Sequence, residues 1–320
     1  MPLVVGIDEA GYGPTLGPMV VAASIWGVPP NCATADFWAL LSESVVRPGE
    51  GRSSLLPVGD SKEVFDRKRG IASLERSVLA FAKLGGTAHA DIRALIDSLA
   101  LPQGELRSVL PWYENLTRRL PLDPERSAFV GASERLAATL KSVGLSFVGL
   151  RAIVVPEDFF NQRVSVTHNK GAVVVEAVLR HIVAAVEQAT QLDAHIYVDR
   201  LGGRAEYRRA LQSALPDHRI QELLVSEDCS RYRLSGERNE LTIEFVVDAD
   251  KHHLCVALAS MTAKYVREIL MDEFNRYWSS RCASLRPTAG YYVDAQRFLK
   301  DIEPVLPTTG LAPQIFTRQR

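Results

Sequence analysis

The sequence predicts an α/β fold built on a mixed central sheet flanked by helices, and three observations support that expectation. Short β-branched runs such as Leu3-Val4-Val5-Gly6-Ile7 alternate along the chain with segments whose apolar residues recur at helical spacing. Turn formers punctuate them, with Gly17-Pro18 after the first run and Pro156 closing a later one. Two runs also end on an aspartate, Asp8 and Asp199. Open α/β sheets place their functional groups at such strand ends.

Taken in order, residues 3–7 form a buried strand ended by the acidic pair Asp8-Glu9. Residues 19–26 form a second strand, and a hairpin is the simplest connection. Asp60-Ser61-Lys62 precedes a helical pattern at 67–84, and Asp60 or Ser61 suits the capping of its approach. The stretch 85–140 is helical in character but interrupted by Pro102, Pro111, Pro121 and Pro124, so it reads as a helical insertion. Strand composition resumes at 147–155. The helix at 171–190 shows a stripe of Val174, Val178, Ile182, Val183 and Val186. A strand at 194–198 delivers Asp199, and a helix at 204–215 stops at Pro216. Two strands at 220–225 and 241–247 enclose the polar stretch 226–240. A long amphipathic helix at 254–278 follows, and from about 280 the chain is helical and rich in turns. No repeat, low-complexity tract or linker divides the chain, so 1–320 reads as a single domain with its insertion.

Of the 320 residues, 47% are hydrophobic and 23% charged, enough to bury a full core. The 37 Lys and Arg balance 38 Asp and Glu, which argues against coating nucleic acid by bulk charge but permits a local basic groove. Cys32, Cys229, Cys255 and Cys282 show no short paired spacing and read as ordinary buried thiols. The chain opens directly on a strand, without a basic lead or cleavage site, and no run reaches the roughly 20 apolar residues a membrane span needs. A soluble, cytoplasmic monomer without membrane contact is expected.

Asp8, Asp199 and Asp250 all fall at strand ends or strand-to-helix junctions. Acids gathered there suit hard divalent cations, which take oxygen ligands. Adjacent strand residues point to opposite faces, so Asp8 and Glu9 are expected to share one cluster only if the strand stops between them. Gly11 and Gly13 make such a turn feasible. On spacing alone, a solvated strand end fits equally well.

Residues 6 to 23, beginning Gly6-Ile7-Asp8-Glu9-Ala10-Gly11-Tyr12-Gly13-Pro14, closely resemble the opening motif of ribonuclease HII and of the catalytic subunit of eukaryotic ribonuclease H2. Asp60-Ser61-Lys62, Ile196-Tyr197-Val198-Asp199, Asp250-Lys251 through Ala259-Ser260-Met261-Thr262-Ala263-Lys264, and Gly290-Tyr291 resemble further elements of that family in the same order. The resemblance says little about 85–140 or 226–240, which look like insertions. It implies a ribonuclease H-like fold and a metal-dependent endonuclease. Such an enzyme hydrolyses the RNA strand of RNA–DNA hybrids and cuts at ribonucleotides embedded in duplex DNA, using Mg²⁺ or Mn²⁺ in a two-metal mechanism. The metal ligands and catalytic residues it implies are Asp8, Glu9, Asp199 and Asp250, with Asp248 as the competitor for the fourth place. The motif begins at Asp8, so the N-terminal substrate-binding domain of ribonuclease HIII is not expected.

The same resemblance places substrate contacts at Gly11, Tyr12, Gly13 and Tyr291, the last on the sugar beside the ribonucleotide, while Lys62 and Lys264 suit phosphate contacts, with solvated surface lysines as the alternative. Tyr12 stands where the family carries an arginine, and an aromatic ring there suits stacking on a sugar or base. Tyr292 rivals Tyr291. Asn161 and His168 are placed to face the site, although an isolated His is more often structural. Arg200, Arg204, Arg208, Arg209 and Arg219 form a basic run, with Arg204 and Arg208 on one helix face. A solvated face is the plainer reading of that run. Gln314-Ile315-Phe316-Thr317 lacks the paired aromatics of a sliding-clamp peptide, and no such contact is expected. The alternatives are a nucleic-acid-binding relative that no longer cleaves, and a ribonuclease H-like nuclease acting on branched DNA.

Overall fold

A computed structural model describes residues 1–30, 32–50, 54–65, 70–102, 106–189, 192–235 and 240–319. The expected starts and ends at 67–69, 190 and 236–239 lie outside these.

Seven strands make one mixed sheet among the described residues: β1 (Leu3–Ala10), β2 (Met19–Gly27), β5 (Ser146–Val155), β6 (Ala194–Asp199), β7 (Arg219–Val225), β8 (Cys229–Ser235) and β9 (Glu240–Val246). A small parallel pair, β3 (Val45–Val46) and β4 (Leu56–Pro57), stands apart. The strand order is β5-β2-β1-β6-β9-β8-β7. β1 pairs with β2 antiparallel and with β6 parallel, and β6 pairs with β9 parallel, so the sheet changes direction at its centre. The apolar alternation explains the two layers. Val4 and Ala22 point to a core beneath the helix α10 (Leu254–Ser279), while Val5, Ile7, Val21 and Ile196 point to one beneath α7 (Lys170–Gln188).

α10 lies unusually close to the sheet. Gly6 permits it, since a Cβ there would stand 2.1 Å from the Cys255 carbonyl carbon. The Ser24 hydroxyl donates to the Cys255 carbonyl at 2.6 Å and accepts from Trp26 Nε1, tying the start of α10 to the hairpin.

The expected helical insertion is less regular than its composition suggests. It holds α4 (Ile92–Leu99), a 3₁₀ turn at Pro111–Tyr113 and α5 (Val130–Val143). Within it α5 packs on α3 (Ala72–Leu84) and α4 on β5, while α3 itself meets the outer sheet through Trp26, Phe81 and Phe147, whose ring centroids lie 4.8–5.7 Å apart. Buried Glu75 organises the irregular part, accepting from the Leu122 amide, the Ser127 hydroxyl and the Tyr265 hydroxyl.

Several boundaries differ from expectation. β1 does not stop at Ile7 but runs through Asp8 and Glu9 to Ala10, because β2 continues to pair with it as far as Val20. The polar stretch 226–240 contains β8, in which Ser230, Tyr232 and Leu234 alternate inward between exposed arginines. The helix expected at 204–215 is only α8 (Arg208–Ala214). Arg204 therefore precedes it, and the shared helix face with Arg208 is not formed. Past α10 the chain is more helical than its turn-rich composition suggests, with α11 at Tyr292–Ile302. Of the four free cysteines, Cys255 is buried and the other three are half-buried. Phe316 sits in the core against Trp112 and Trp278. No helix of the described residues is long and apolar enough to cross a membrane.

Candidate functional site

Parallel pairing of β1 with β6 registers Ile7 against Val198, so the next residue of each strand is Asp8 or Asp199. β6 ends there, while β1 continues along β2 alone. That one-sided end of the sheet corrects the expected turn between Asp8 and Glu9. Their side chains leave opposite faces of a continuous strand, yet both reach the gap left by β6. Carboxylate oxygens of Asp8, Glu9 and Asp199 lie within 4.8 Å of one another.

Asp250 stands beside this group rather than within it. It lies in α9 (Ala249–His252), the short turn of helix between β9 and α10. Asp199 holds that turn by accepting from the Ala249 amide at 2.9 Å. Asp248 is exposed, has φ of +52° and pairs with Lys251 at 2.7 Å. Both charges act on Asp199, but of the two competitors only Asp250 is half-buried.

The electrostatics are those of crowded acids whose burial outweighs the nearby lysine charge. Burial, followed by the charges of Glu9 and Asp199, pushes Asp8 well above the usual carboxylate range. Glu9 is raised, also chiefly by burial. Asp199 is pushed up to about 7 by burial and by the charges of Glu9, Asp250 and Asp248, against the pull of the Ala249 amide. Asp250 is raised by burial and by Asp60 and Asp248, with Lys62 opposing. Glu9 Oε2 is buried and accepts no hydrogen bond among the described residues. An all-oxygen donor set with an orphaned carboxylate oxygen is what a hard divalent cation satisfies.

A pH dependence follows. These acids bind protons more tightly folded than in the unfolded chain, where they titrate near about 4. Their neutral forms therefore stabilise the metal-free fold fully below about pH 4, a contribution lost as pH rises through the folded values, about 7 for Asp199. In EDTA the Tm is expected to fall from about pH 5 to 8, while the Tm increment from added Mn²⁺ grows over the same window. An increment independent of pH would show that the acids do not take up the ion.

The other residues singled out in the sequence divide. Gly11-Tyr12-Gly13 follows Glu9 after Ala10, with Gly11 at φ +86° and Gly13 exposed. Tyr12 leans on the start of α7, with Lys170 Nζ 5.2 Å from its ring centroid and Gly202 on its flank. A groove of about 800 Å³ opens from Glu9 and Tyr12 along α7 past Asn169, Gly171, Leu201 and Gly202. Lys62 is exposed, and its charge reaches both Glu9 and Asp250. Lys264 pairs with Glu268 at 2.7 Å and lies over the Phe65 ring. Tyr291 and Tyr292 are equally exposed beside Gly290, whose carbonyl accepts from the Thr15 and Leu16 amides. His168 caps a helix, α6 (Glu157–Thr167), in the left-handed region. Asn161 faces the C-terminal segment, not the acids. Arg200 is committed to the carbonyls of Arg204, Ser226 and Glu227.

Sequence reasoning missed two buried arginines behind the loop, Arg267 and Arg318. Arg267 left a readable signal, since it shares the buried face of α10 with Ala263, Met271, Phe274 and Trp278. Arg318 left none, because its partners are some 300 residues away.

No family model matches the chain, and no curated protein does. Among solved structures it is similar to type 2 ribonucleases H. Ribonuclease HII of Archaeoglobus fulgidus, from a complex with PCNA, is 15% identical with a TM-score of 0.44, and 99% of this chain and 94% of that one are covered. Bst-RNase HIII in complex with Mn²⁺ is 16% identical at TM-score 0.48, and 99% and 66% are covered. Ribonuclease H2 of Pyrococcus horikoshii OT3 is 16% identical at TM-score 0.41, and 98% and 92% are covered.

Proposed function

We propose that the chain is a metal-dependent endonuclease of the type 2 ribonuclease H kind. It cuts the RNA strand of RNA–DNA hybrids and ribonucleotides embedded in duplex DNA. The convergence of Asp8, Glu9 and Asp199, with Glu9 Oε2 left without a partner, carries the reading. The ordered resemblance of five sequence elements supports it.

Asp8, Glu9 and Asp199 would hold the cations, Mg²⁺ or Mn²⁺, with Asp250 completing the set from α9. A pair of such ions held there would supply activation of an attacking water and charge stabilisation at the leaving 3′ oxygen of a phosphodiester. The chain's own groups bind and orient. The Ala249 amide keeps the Asp199 carboxylate turned to the site, and the Glu9 amide does the same for Asp8 at 2.6 Å. The Gly11-Tyr12-Gly13 backbone reads the 2′-hydroxyl that separates RNA from DNA. Lys62 meets phosphate, and Tyr291 offers a ring at the rim.

The deciding assay incubates the protein with Mg²⁺ or Mn²⁺ and a DNA duplex holding a single ribonucleotide. Cutting beside the ribonucleotide, abolished by EDTA, is the expected result. Binding without cutting under either metal would instead indicate a silent relative. Cutting branched DNA but neither the hybrid nor the ribonucleotide duplex would indicate a nuclease with another target.

A further inference from the structure

We infer that Arg318 is a positioning residue for substrate, holding the Gly11-Tyr12-Gly13 loop from behind so that its free amides face the groove. The inference rests on the proposed function and adds a residue to it.

Arg318 is 4% exposed. Its Nη1 donates to the Gly11 carbonyl and its Nη2 to the Tyr12 carbonyl at 2.6 Å, while its own amide donates to Thr15 at 2.8 Å. The guanidinium carbon lies 4.2 Å from the Phe160 ring centroid. Asn161 fixes the segment that carries it: its Nδ2 donates to the Gln314 and Thr317 carbonyls at 2.9 Å, and its Oδ1 accepts from Gln319 at 2.8 Å. The clamp thus joins α6, the C-terminal segment and the loop after Glu9.

Peptide geometry turns this into a substrate argument. In a trans peptide the N–H points opposite to the C=O. Two carbonyls aimed at Arg318 therefore direct the Tyr12 and Gly13 amides away from it. Neither amide makes a backbone hydrogen bond among the described residues. Arg267 adds a second buried cation behind the loop, donating to the Ala289 carbonyl at 3.0 Å. A Cβ on Gly11 would meet its side chain at 2.5 Å. Two free N–H groups backed by two guanidinium charges favour an oxygen-rich, anionic ligand such as a ribose–phosphate segment. Position 12 needs no cation of its own, since the charge arrives from behind.

A lysine cannot bridge two carbonyls as the planar guanidinium does. Arg318→Lys and Arg318→Gln are therefore expected to raise KM for the ribonucleotide duplex by about 10- to 100-fold, the loss typical of charge-assisted hydrogen bonds. Their kcat is expected to change less than about threefold, and the Tm increment with Mn²⁺ not at all. Millimolar guanidinium is expected to restore part of the loss in Arg318→Ala, which a general weakening of the fold would not allow. Arg318→Lys keeps the charge beside Glu157 and carries the test if the other variants fold poorly. Unchanged KM in folded Arg318→Lys, or kcat and Tm falling together without rescue, would overturn the assignment while wild-type cleavage left the functional reading intact. A wild-type protein that neither cuts nor prefers the ribonucleotide duplex would remove both.

Discussion

Asp8→Asn is expected to abolish cleavage and at the same time make the metal-free protein more stable. Asp8 is only 6% exposed, and burial together with Glu9 and Asp199 already drives it toward its neutral form. An amide keeps the shape and the Oδ1 that accepts from the Glu9 N–H. It also replaces a repulsive neighbour with a donor facing two carboxylates. Removing an uncompensated buried charge is expected to stabilise by about 1 kcal/mol or more, raising the Tm in EDTA by about 2 °C or more. Cleavage is expected to fall about 10³-fold or more, about 4 kcal/mol of transition-state stabilisation, because one cation ligand is gone. Mn²⁺ should raise the Tm of the wild type more than that of the variant, reversing their order. Scanning calorimetry with and without Mn²⁺, paired with the cleavage assay, reads both halves. A variant that cuts normally would sink the metal role, and one less stable in EDTA would sink the electrostatic account. Both results together would mark the site as one where function is maintained against stability.

That opposition also explains which parts of the site were legible. Asp8 and Asp199 stand at the ends of apolar runs, and a charge closing a buried strand is visible without coordinates. Their convergence was not visible in the same way. It depends on β6 ending beside a β1 that continues, a property of register rather than of either segment. Asp250 entered the expected ligand set through the family resemblance, and the structure sets it beside the acid cluster without bringing it into the 4.8 Å group. β8 was hidden because its outward residues are arginines. Its alternation of Arg231, Tyr232, Arg233 and Leu234 was nevertheless a period-two signal. Lys264 carries a partner that its motif position did not announce, since Glu268 lies one helical turn on and engages it. Arg318 is the far extreme, since a contact between the two ends of the chain leaves no local pattern to read.

Gly6 was legible as a break in an otherwise β-branched run, and the largest expected loss of stability belongs to it. A glycine inside a strand often marks the close approach of another backbone. Here a Cβ would stand 2.1 Å from Cys255 C, 2.3 Å from Cys255 O and 2.3 Å from Val256 N, all backbone atoms of α10. No side-chain rotation relieves such contacts, and the Ser24 hydroxyl bond to Cys255 resists displacement of the helix. Gly6→Ala is therefore expected to cost about 3 kcal/mol or more, at the upper end for overpacking. The loss should be read as a lower urea midpoint at unchanged slope. Gly13→Ala is the control, since a Cβ there meets nothing within 4 Å and φ is not in the left-handed region. Its stability is expected to stay within about 0.5 kcal/mol of wild type. The consequence for function follows from the same contact. The start of α10 also carries His253, stacked on Tyr197 at 3.8 Å, and α9 with Asp250 immediately precedes it. Pushing α10 off the sheet would move Asp250 and Ser260 away from Asp8 and Asp199. Folded Gly6→Ala protein is thus expected to show a smaller Mn²⁺-induced Tm rise than wild type. An unchanged Mn²⁺ response in a destabilised variant would separate the packing of α10 from the cation site.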